Sequence, residues 1–162
     1  MENLTIIIRW KDPFTHKEVL KSEDGNGLYL LAGIQKHKQL NEIQYCGITE
    51  GKFRTRLNEN THHKLPKIWR ELNIWLGEIQ YPLEHTRTHL EVAETVIVYF
   101  WQPDLNNRKK FRLPRPTTLI SQWYKKDGSP RVRQHSLSKD LPDVLSWDGH
   151  HWRTGNLSVY ED

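Results

Sequence analysis

Two tyrosines, each close to a glycine, are the residues of this sequence best suited to chemistry on a phosphodiester. Tyr29 ends the triplet Gly27-Leu28-Tyr29, and Tyr45 begins the triplet Tyr45-Cys46-Gly47. Hydrolysis of a phosphodiester needs a nucleophilic water, positive charge on the scissile phosphate and close alignment of the two. Three further side chains of suitable type follow in the chain: Arg56, Glu94 and Asn106.

Each of these side chains suits one part of that chemistry. A phenol is a poor base at its reference pKa of about 10, but a nearby cation favours the phenolate. The planar guanidinium of Arg56 can supply that positive charge and hold two phosphate oxygens at once. Glu94 offers a hard anionic oxygen, and Mg²⁺ commonly binds proteins through only one or two carboxylates.

These properties predict a role for each group. We expect Tyr29 to act as the general base, or to orient it, with Tyr45 at its side. Glu94 is the predicted ligand of Mg²⁺ or Mn²⁺. Asn106 is predicted to hydrogen-bond either to Tyr29 or to a water on the metal.

Strands and helices have to position these residues, and the hydrophobic pattern predicts which ones do. Leu28–Ile34 and Ile43–Thr49 are typical of neighbouring buried strands, which would place the two tyrosines side by side. A helix from a Thr49 cap through Asn58 would carry the arginine. Thr88–Trp101 has apolar residues at helical spacing and contains the glutamate, and Pro103 ends it.

The remaining elements are predicted from the same patterns. Leu4–Trp10 and Asn73–Tyr81 are typical of strands, and Leu65–Leu72 has the apolar spacing of a helix with a proline in its first turn. Ser146–Gly149 and His151–Gly155 indicate a β-turn with flanking strands.

The ordered set of residues resembles the GIY-YIG nuclease domain over Gly27 to Asn106, about half of the chain. In that family both triplet tyrosines, a helix arginine, a metal-binding glutamate and the asparagine of a Pro-x-x-Asn motif line the active site. The resemblance implies an α/β (α+β) fold, with a three-stranded antiparallel or mixed sheet flanked by helices. It also implies one bound metal ion and cleavage that leaves a 5′-phosphate. Many members have a histidine or tyrosine four residues after the arginine; this chain has Asn60 there, and His62 or His63 is the candidate replacement in proton transfer, with His62 the better match.

On this interpretation the chain has three segments: an N-terminal strand and turn at 1–26, the nuclease-like core at 27–106, and a basic, then aromatic extension at 107–162. Within Asn107–His135 there are nine Lys/Arg residues and one acid, whereas the rest of the chain has a net charge of −4. Such a basic segment favours a polyanionic partner, DNA above all, because phosphate neutralisation releases counterions. The candidate nucleic-acid contacts are Gly47, where a bulkier side chain would block a phosphate, and six cations: Lys52, Arg54, Arg108, Lys109, Lys110 and Arg112.

Several other classes of site and location fit poorly. The single cysteine, Cys46, excludes an intramolecular disulfide and a multi-cysteine zinc site, and histidine pairs such as His85/His89 lack an H-E-x-x-H pattern. The chain has no apolar run of membrane-spanning length and no basic, signal-like N-terminus, so we expect an intracellular protein with no membrane partner.

Two alternatives to an active nuclease follow from the same residues. A nucleic-acid-binding module with a decayed site fits the basic segment and the absence of a histidine at position 60. A protein-interaction domain would use the aromatic region Trp147–Trp152 to bind a partner.

Overall fold

The computed structural model describes residues 2–108, 110–131 and 133–157 and has a mixed α/β fold. Within those ranges, one seven-stranded sheet is combined with a few helices. The elements in chain order are β1 (Leu4–Phe14), α1 (His16–Leu20), β2 (Gly25–Gln35), β3 (Glu42–Lys52), α2 (Phe53–Arg56), a 3₁₀ turn (Leu65–Lys67), β4 (Ile68–Tyr81), α3 (Arg87–Trp101), β5 (Thr117–Lys125), β6 (Val144–Trp147) and β7 (Trp152–Gly155).

The strands lie in the order β3-β2-β4-β1-β5-β6-β7, so β3 and β7 are the edges. β1 and β5 are parallel, and the other neighbouring pairs are antiparallel. The mixed α/β class agrees with the expectation, but the sheet has seven strands instead of the expected three, and β2, β3 and β4 form an antiparallel group within it. The predicted pairing of the two strands that carry the tyrosines is confirmed.

The residues of β2 alternate between two hydrophobic cores, one on each face of the sheet. Leu28 and Leu30 belong to the core that contains the apolar side of α3, and we call this face of the sheet the helix face. Tyr29 and Leu31 belong to the core on the opposite face, which we call the tyrosine face. Burial on both faces explains why this strand is apolar without interruption.

The segment Leu65–Leu72, predicted as a helix, is instead a 3₁₀ turn followed by the first residues of β4. Ile68 pairs with Gln35, so this segment extends the antiparallel pairing of β2 and β4. Trp69, expected on the buried side of the helix, is 63% exposed. The apolar spacing fits a helix, but hydrogen bonding to a distant strand outweighs that local preference.

The C-terminal extension joins the same sheet as the predicted core and the N-terminal strand. β5 pairs in parallel with β1, and the stacked rings of Trp10 and Trp123 lie 5.8 Å apart on these two strands. Farther along, the buried carboxylate of Asp12 accepts a hydrogen bond from the Arg131 guanidinium at 2.6 Å. The hairpin predicted near the C-terminus is confirmed by the antiparallel pairing of β6 and β7.

Candidate active site

Tyr29 and Tyr45 lie next to each other on the tyrosine face because of the register of β2 and β3. Tyr29 is directly opposite Gly47, and Tyr45 is opposite Leu31. Since side chains alternate along a strand, all four positions face the same way and the tyrosines are diagonal neighbours. Their ring centroids are 6.1 Å apart. Tyr29 is completely buried, whereas Tyr45 is only partly buried and is therefore the phenol nearer to solvent.

Gly47 provides the space in which the Tyr29 hydroxyl lies. A Cβ atom at position 47 would be 2.4 Å from both the Oη and the Cζ of Tyr29. Real Cβ atoms do not approach other atoms so closely, so a side chain here would displace the phenol. The Tyr29 phenol occupies the space where a Cβ of residue 47 would lie. That Gly47 makes room for a phosphate stays a prediction.

His62 fixes the position and hydrogen bonding of Tyr29. Its Nδ1 accepts hydrogen bonds from the backbone N–H groups of Lys64 (3.2 Å) and Leu65 (3.1 Å). The ring proton must then be on Nε2, which donates to the Tyr29 oxygen at 2.8 Å. Burial, and next the charge of Arg56, lower the pKa of His62 to about 4, so the ring is neutral at pH 7. His62 had been predicted to take part in proton transfer, but both of its nitrogens are engaged in holding this geometry.

The pKa values of the two phenols show which charges act on them. Burial is the main cause that raises the pKa of both phenols. The carboxylate of Glu94 raises both values further, and the guanidinium of Arg56 lowers both. A hydrogen bond with Tyr29 also lowers the pKa of Tyr45. Because His62 donates to the Tyr29 oxygen, the Tyr29 proton is the one available for that bond.

Arg56 approaches the tyrosines from the end of α2, a helix of a single turn. The predicted helix was longer and began at Thr49, but β3 continues through Lys52, and Lys52 rather than Thr49 is the N-cap residue. The hydroxyl of Thr49 accepts a hydrogen bond from Gly51 N instead. Arg56 is exposed, and its positive charge acts on both phenols and on His62.

Glu94 comes from α3, whose apolar side packs on the helix face. The main contacts of α3 are with β3, the edge strand next to it. Glu94 is partly buried, and its charge acts on both phenols of the tyrosine face. Glu91, three residues earlier, is more exposed and forms an ion pair with Arg87 at 3.0 Å.

A single carboxylate beside two phenols suits Mg²⁺ or Mn²⁺ better than zinc. Magnesium keeps several waters and binds through one or two protein carboxylates. Zinc sites use three or four protein ligands, usually histidine or cysteine. No group of three or more His, Cys, Asp or Glu side chains within the described part of the chain could enclose a metal ion. These donors therefore fit a cation that the Glu94 carboxylate binds, with water and substrate at its other coordination positions.

Asn106 has a different partner from the one predicted. Its amide nitrogen donates to Cys46 O and its amide oxygen accepts from Cys46 N, each at 2.9 Å. Nearby, Leu105 N donates to Gln44 O at 2.8 Å. The buried side chain of Asn106 therefore satisfies the outward backbone groups of the edge strand and holds the residue between Tyr45 and Gly47, rather than bonding to Tyr29.

The predicted nucleic-acid contacts fall into separate groups. Lys52 and Arg54 both form ion pairs with Glu23, the second at 2.7 Å, so their charges are partly balanced. Arg108 and Arg112 are exposed. Lys110 donates to Asp104 O at 3.3 Å, and Lys109 lies outside the described residues.

Two lysines near the site were not among the predicted contacts. Lys64 and Lys67 follow His62 in the chain, and the like charges of Lys67 and Lys110 contribute, after burial, to a lowered pKa of Lys64. Three cations from two parts of the sequence therefore act on one another, and Lys64 also acts on His62. The available signal was the basic run from His62 to Lys67. The apolar spacing of the overlapping segment Leu65–Leu72 indicates a helix instead.

Comparisons with known proteins did not identify a relative of this chain. A scan against protein-family models, a search of curated proteins and a search of solved structures each found no match to this chain. In the part of the chain that the structure describes, no helix has the length and apolar character needed to cross a membrane. The resemblance to GIY-YIG nucleases therefore depends on the residues quoted above.

Proposed function

We propose that this chain is a metal-dependent endonuclease of the GIY-YIG type, with DNA as its substrate and Mg²⁺ or Mn²⁺ as its cation. The observation that carries the proposal is the group of two phenols on adjacent strands, held by His62 and subject to the charges of both Arg56 and Glu94. An arginine and a carboxylate whose charges act on one buried and one partly buried phenol suit phosphodiester cleavage.

The two tyrosines have different roles in this proposal. Tyr29 is completely buried and accepts a hydrogen bond from His62, so it orients its neighbour rather than touching substrate. Tyr45 is nearer to solvent and is the phenol that exchanges a proton with the attacking water. Arg56 favours the ionised form of Tyr45 and binds the non-bridging oxygens of the scissile phosphate.

Glu94 is the residue that would hold the cation, and its charge acts on both phenols. The bound cation supplies positive charge that stabilises the phosphate in the transition state and acidifies water. Lys64, Lys67 and Lys110 add positive charge at the rim of the site and attract the backbone of the substrate. Asn106 binds the backbone of Cys46, the residue between Tyr45 and Gly47. It therefore keeps this part of the edge strand in place beside Tyr29.

A substrate and cation panel tests this function. Supercoiled plasmid, single-stranded DNA and RNA are incubated with the protein in Mg²⁺, in Mn²⁺ or in EDTA, and binding in EDTA is measured separately. The proposal expects DNA to be cut with either cation, with no cutting in EDTA while binding persists. DNA that binds tightly but stays intact with both cations would contradict it.

A nucleic-acid-binding module without activity is the second candidate. It is favoured by the engagement of both His62 nitrogens, which leaves neither of them to act as a base, and by the basic rim. It predicts binding that weakens steeply with salt and no cleavage under any condition of the panel.

A protein-interaction role for the aromatic region 147–152 has less support. Trp147 is buried, and its ring lies 5.0 Å from that of Trp152. Trp152 in turn packs on Tyr99 and Phe100 of α3, at ring distances of 6.0 and 5.6 Å. These rings hold the C-terminal hairpin against α3 instead of presenting an open aromatic surface.

A further inference from the structure

The most exposed aromatic side chain of the basic extension is Phe111, which is 91% exposed. It belongs to residues 108–115, which we call the Phe111 loop. The loop contains four described cations and no acidic residue: Arg108, Lys110, Arg112 and Arg115. Leu113, in the same loop, is 55% exposed. An aromatic ring presented to solvent among cations is the composition of a surface that binds nucleic acid.

The Phe111 loop adjoins the candidate active site. The backbone oxygen of Lys110 accepts a hydrogen bond from Gln102 at 2.8 Å, and its ammonium donates to Asp104 O. This part of the chain leads directly to Asn106, which is bonded to the strand that carries Tyr45. The charge of Lys110 also acts on Lys64 beside His62. Phe111 follows Lys110 directly in the chain, so the ring belongs to the loop whose lysine acts on this side of the site.

A groove lies beyond Phe111, between residues 112–115 and α3. Its volume is about 370 Å³, and it is lined on one side by Arg112 and Arg115 and on the other by residues that include Thr88, Thr95 and Glu91. The arginines offer planar donors for phosphate oxygens, and the exposed Thr88 offers a hydroxyl group. The groove therefore places the charges of Arg112 and Arg115 beside α3.

We propose that Phe111 stacks on an unpaired base of a DNA substrate while Arg112 and Arg115 hold the flanking phosphates in the groove. This inference rests on the proposed function for the identity of the polyanion, and it narrows the substrate to DNA that has unpaired bases. Bases inside a duplex are already stacked on each other, so an exposed ring gains most from a base that has no partner. A phenyl ring stacks on any base without hydrogen bonds, so the contact carries little sequence preference.

The experiment measures DNA binding by the full chain in EDTA, where cutting is prevented. The two probes are a plain duplex and the same duplex with a short unpaired stretch that contains the fluorescent base 2-aminopurine. Phe111→Ala should weaken binding to the second probe by roughly 5- to 100-fold and change binding to the plain duplex much less. Phe111→Trp should keep the affinity and the quenching of the fluorescent base. Leu83→Ala is the matched control, because Leu83 is another apolar side chain, 88% exposed, outside the basic segment.

Each result bears on the inference in a defined way. Equal binding by Phe111→Ala and wild type would overturn the inference. The ring would then contact a protein partner or no partner. Equal losses for both probes would also overturn it, because stacking on an unpaired base would not be the cause. If Phe111→Ala shows the expected loss but wild type never cuts DNA, the stacking inference stands and the proposed nuclease function fails. If the protein binds neither probe, both fail.

Discussion

The position of the Tyr29 hydroxyl depends on the absence of a side chain at residue 47. The two residues are paired across β2 and β3, and the phenol lies over the backbone where a Cβ would be. His62 then completes the arrangement with a hydrogen bond from Nε2. A glycine, a buried phenol and a neutral histidine thus fix one oxygen atom, which in turn orients Tyr45.

Gly47→Ala tests this dependence at the scale of one residue. The added methyl group would overlap the Tyr29 hydroxyl, so we expect a loss of about 1–3 kcal/mol in the free energy of unfolding. We also expect cleavage to slow by about 100-fold, because small displacements of positioned groups are costly to catalysis. Chemical denaturation and plasmid nicking measure the two effects.

Gly51→Ala is the matched control for that variant. A Cβ at position 51 would meet only the Thr49 hydroxyl, at 3.7 Å, so stability and activity should stay close to wild type. Equal behaviour of the two variants would contradict the role given to Gly47.

Residue types and their order were enough to name the two tyrosines as candidate site residues. The predicted pairing of their strands was enough to predict that their side chains are neighbours. Their hydrogen-bonding partners could not be predicted in the same way. The contact between His62 and Tyr29 depends on how the loop after α2 folds back, and the binding of Asn106 to Cys46 depends on which strand is at the edge. Both depend on tertiary packing that a single sequence does not encode locally.

At the scale of elements, the turn after α3 holds the exposed edge of β3. Leu105 and Asn106 bond to the backbone of Gln44 and Cys46, so the end of the helix that carries Glu94 is tied to the strand that carries Tyr45. This connection positions α3, which carries the proposed metal ligand, relative to the phenols. The segment Leu65–Leu72 shows the limit of local patterns, because pairing with β2 converts a helical pattern into a turn and a strand.

Asn106→Ala tests the link between α3 and β3. It would leave the buried N–H and C=O of Cys46 without their partner, which should lower the free energy of unfolding by about 1–3 kcal/mol. Cleavage should fall as well, since the distance between Glu94 and Tyr45 is no longer fixed. Asn107→Ala, at the neighbouring exposed position, should change neither quantity. Normal cleavage by Asn106→Ala would show that this link is not needed for activity.

At the scale of the whole molecule, the extension at 107–162 is integrated with the N-terminal strand rather than appended to it. β5 lies beside β1, and Arg131 donates to both the carboxylate and the backbone oxygen of Asp12. The charge pattern of the sequence predicted a basic extension, but not its place in the sheet. Parallel pairing of strands more than a hundred residues apart leaves no local signal in composition.

The buried pair of Asp12 and Arg131 predicts a pH dependence of stability. Burial raises the pKa of Asp12 to about 6 although Arg131 opposes the shift, whereas its unfolded value is about 4. Because the folded value is the higher one, this contribution to stability is complete below pH 4 and is lost as pH rises through 6. The stability of wild type relative to Asp12→Asn should therefore fall by about 2–3 kcal/mol between pH 4 and pH 8.

Urea denaturation across that range measures the difference. Asp127→Asn is the control, because hydrogen bonds from Ser129 lower the pKa of Asp127 instead of raising it. The stability that this shift contributes is already present above pH 4, so the difference between wild type and Asp127→Asn should stay nearly constant from pH 4 to pH 8. A difference between wild type and Asp12→Asn that is constant with pH would contradict the burial argument.

The most direct test of the central claim compares wild type, Glu94→Ala and Glu91→Ala in single-turnover nicking of plasmid DNA with Mg²⁺, at protein concentrations that saturate the DNA. If Glu94 holds the cation beside Tyr45 and Arg56, its removal should slow nicking by at least about 100-fold while DNA binding is kept. Glu91→Ala, which removes an exposed carboxylate of the same helix, should cut nearly as fast as wild type. Equal nicking by Glu94→Ala and wild type would contradict the account of the site.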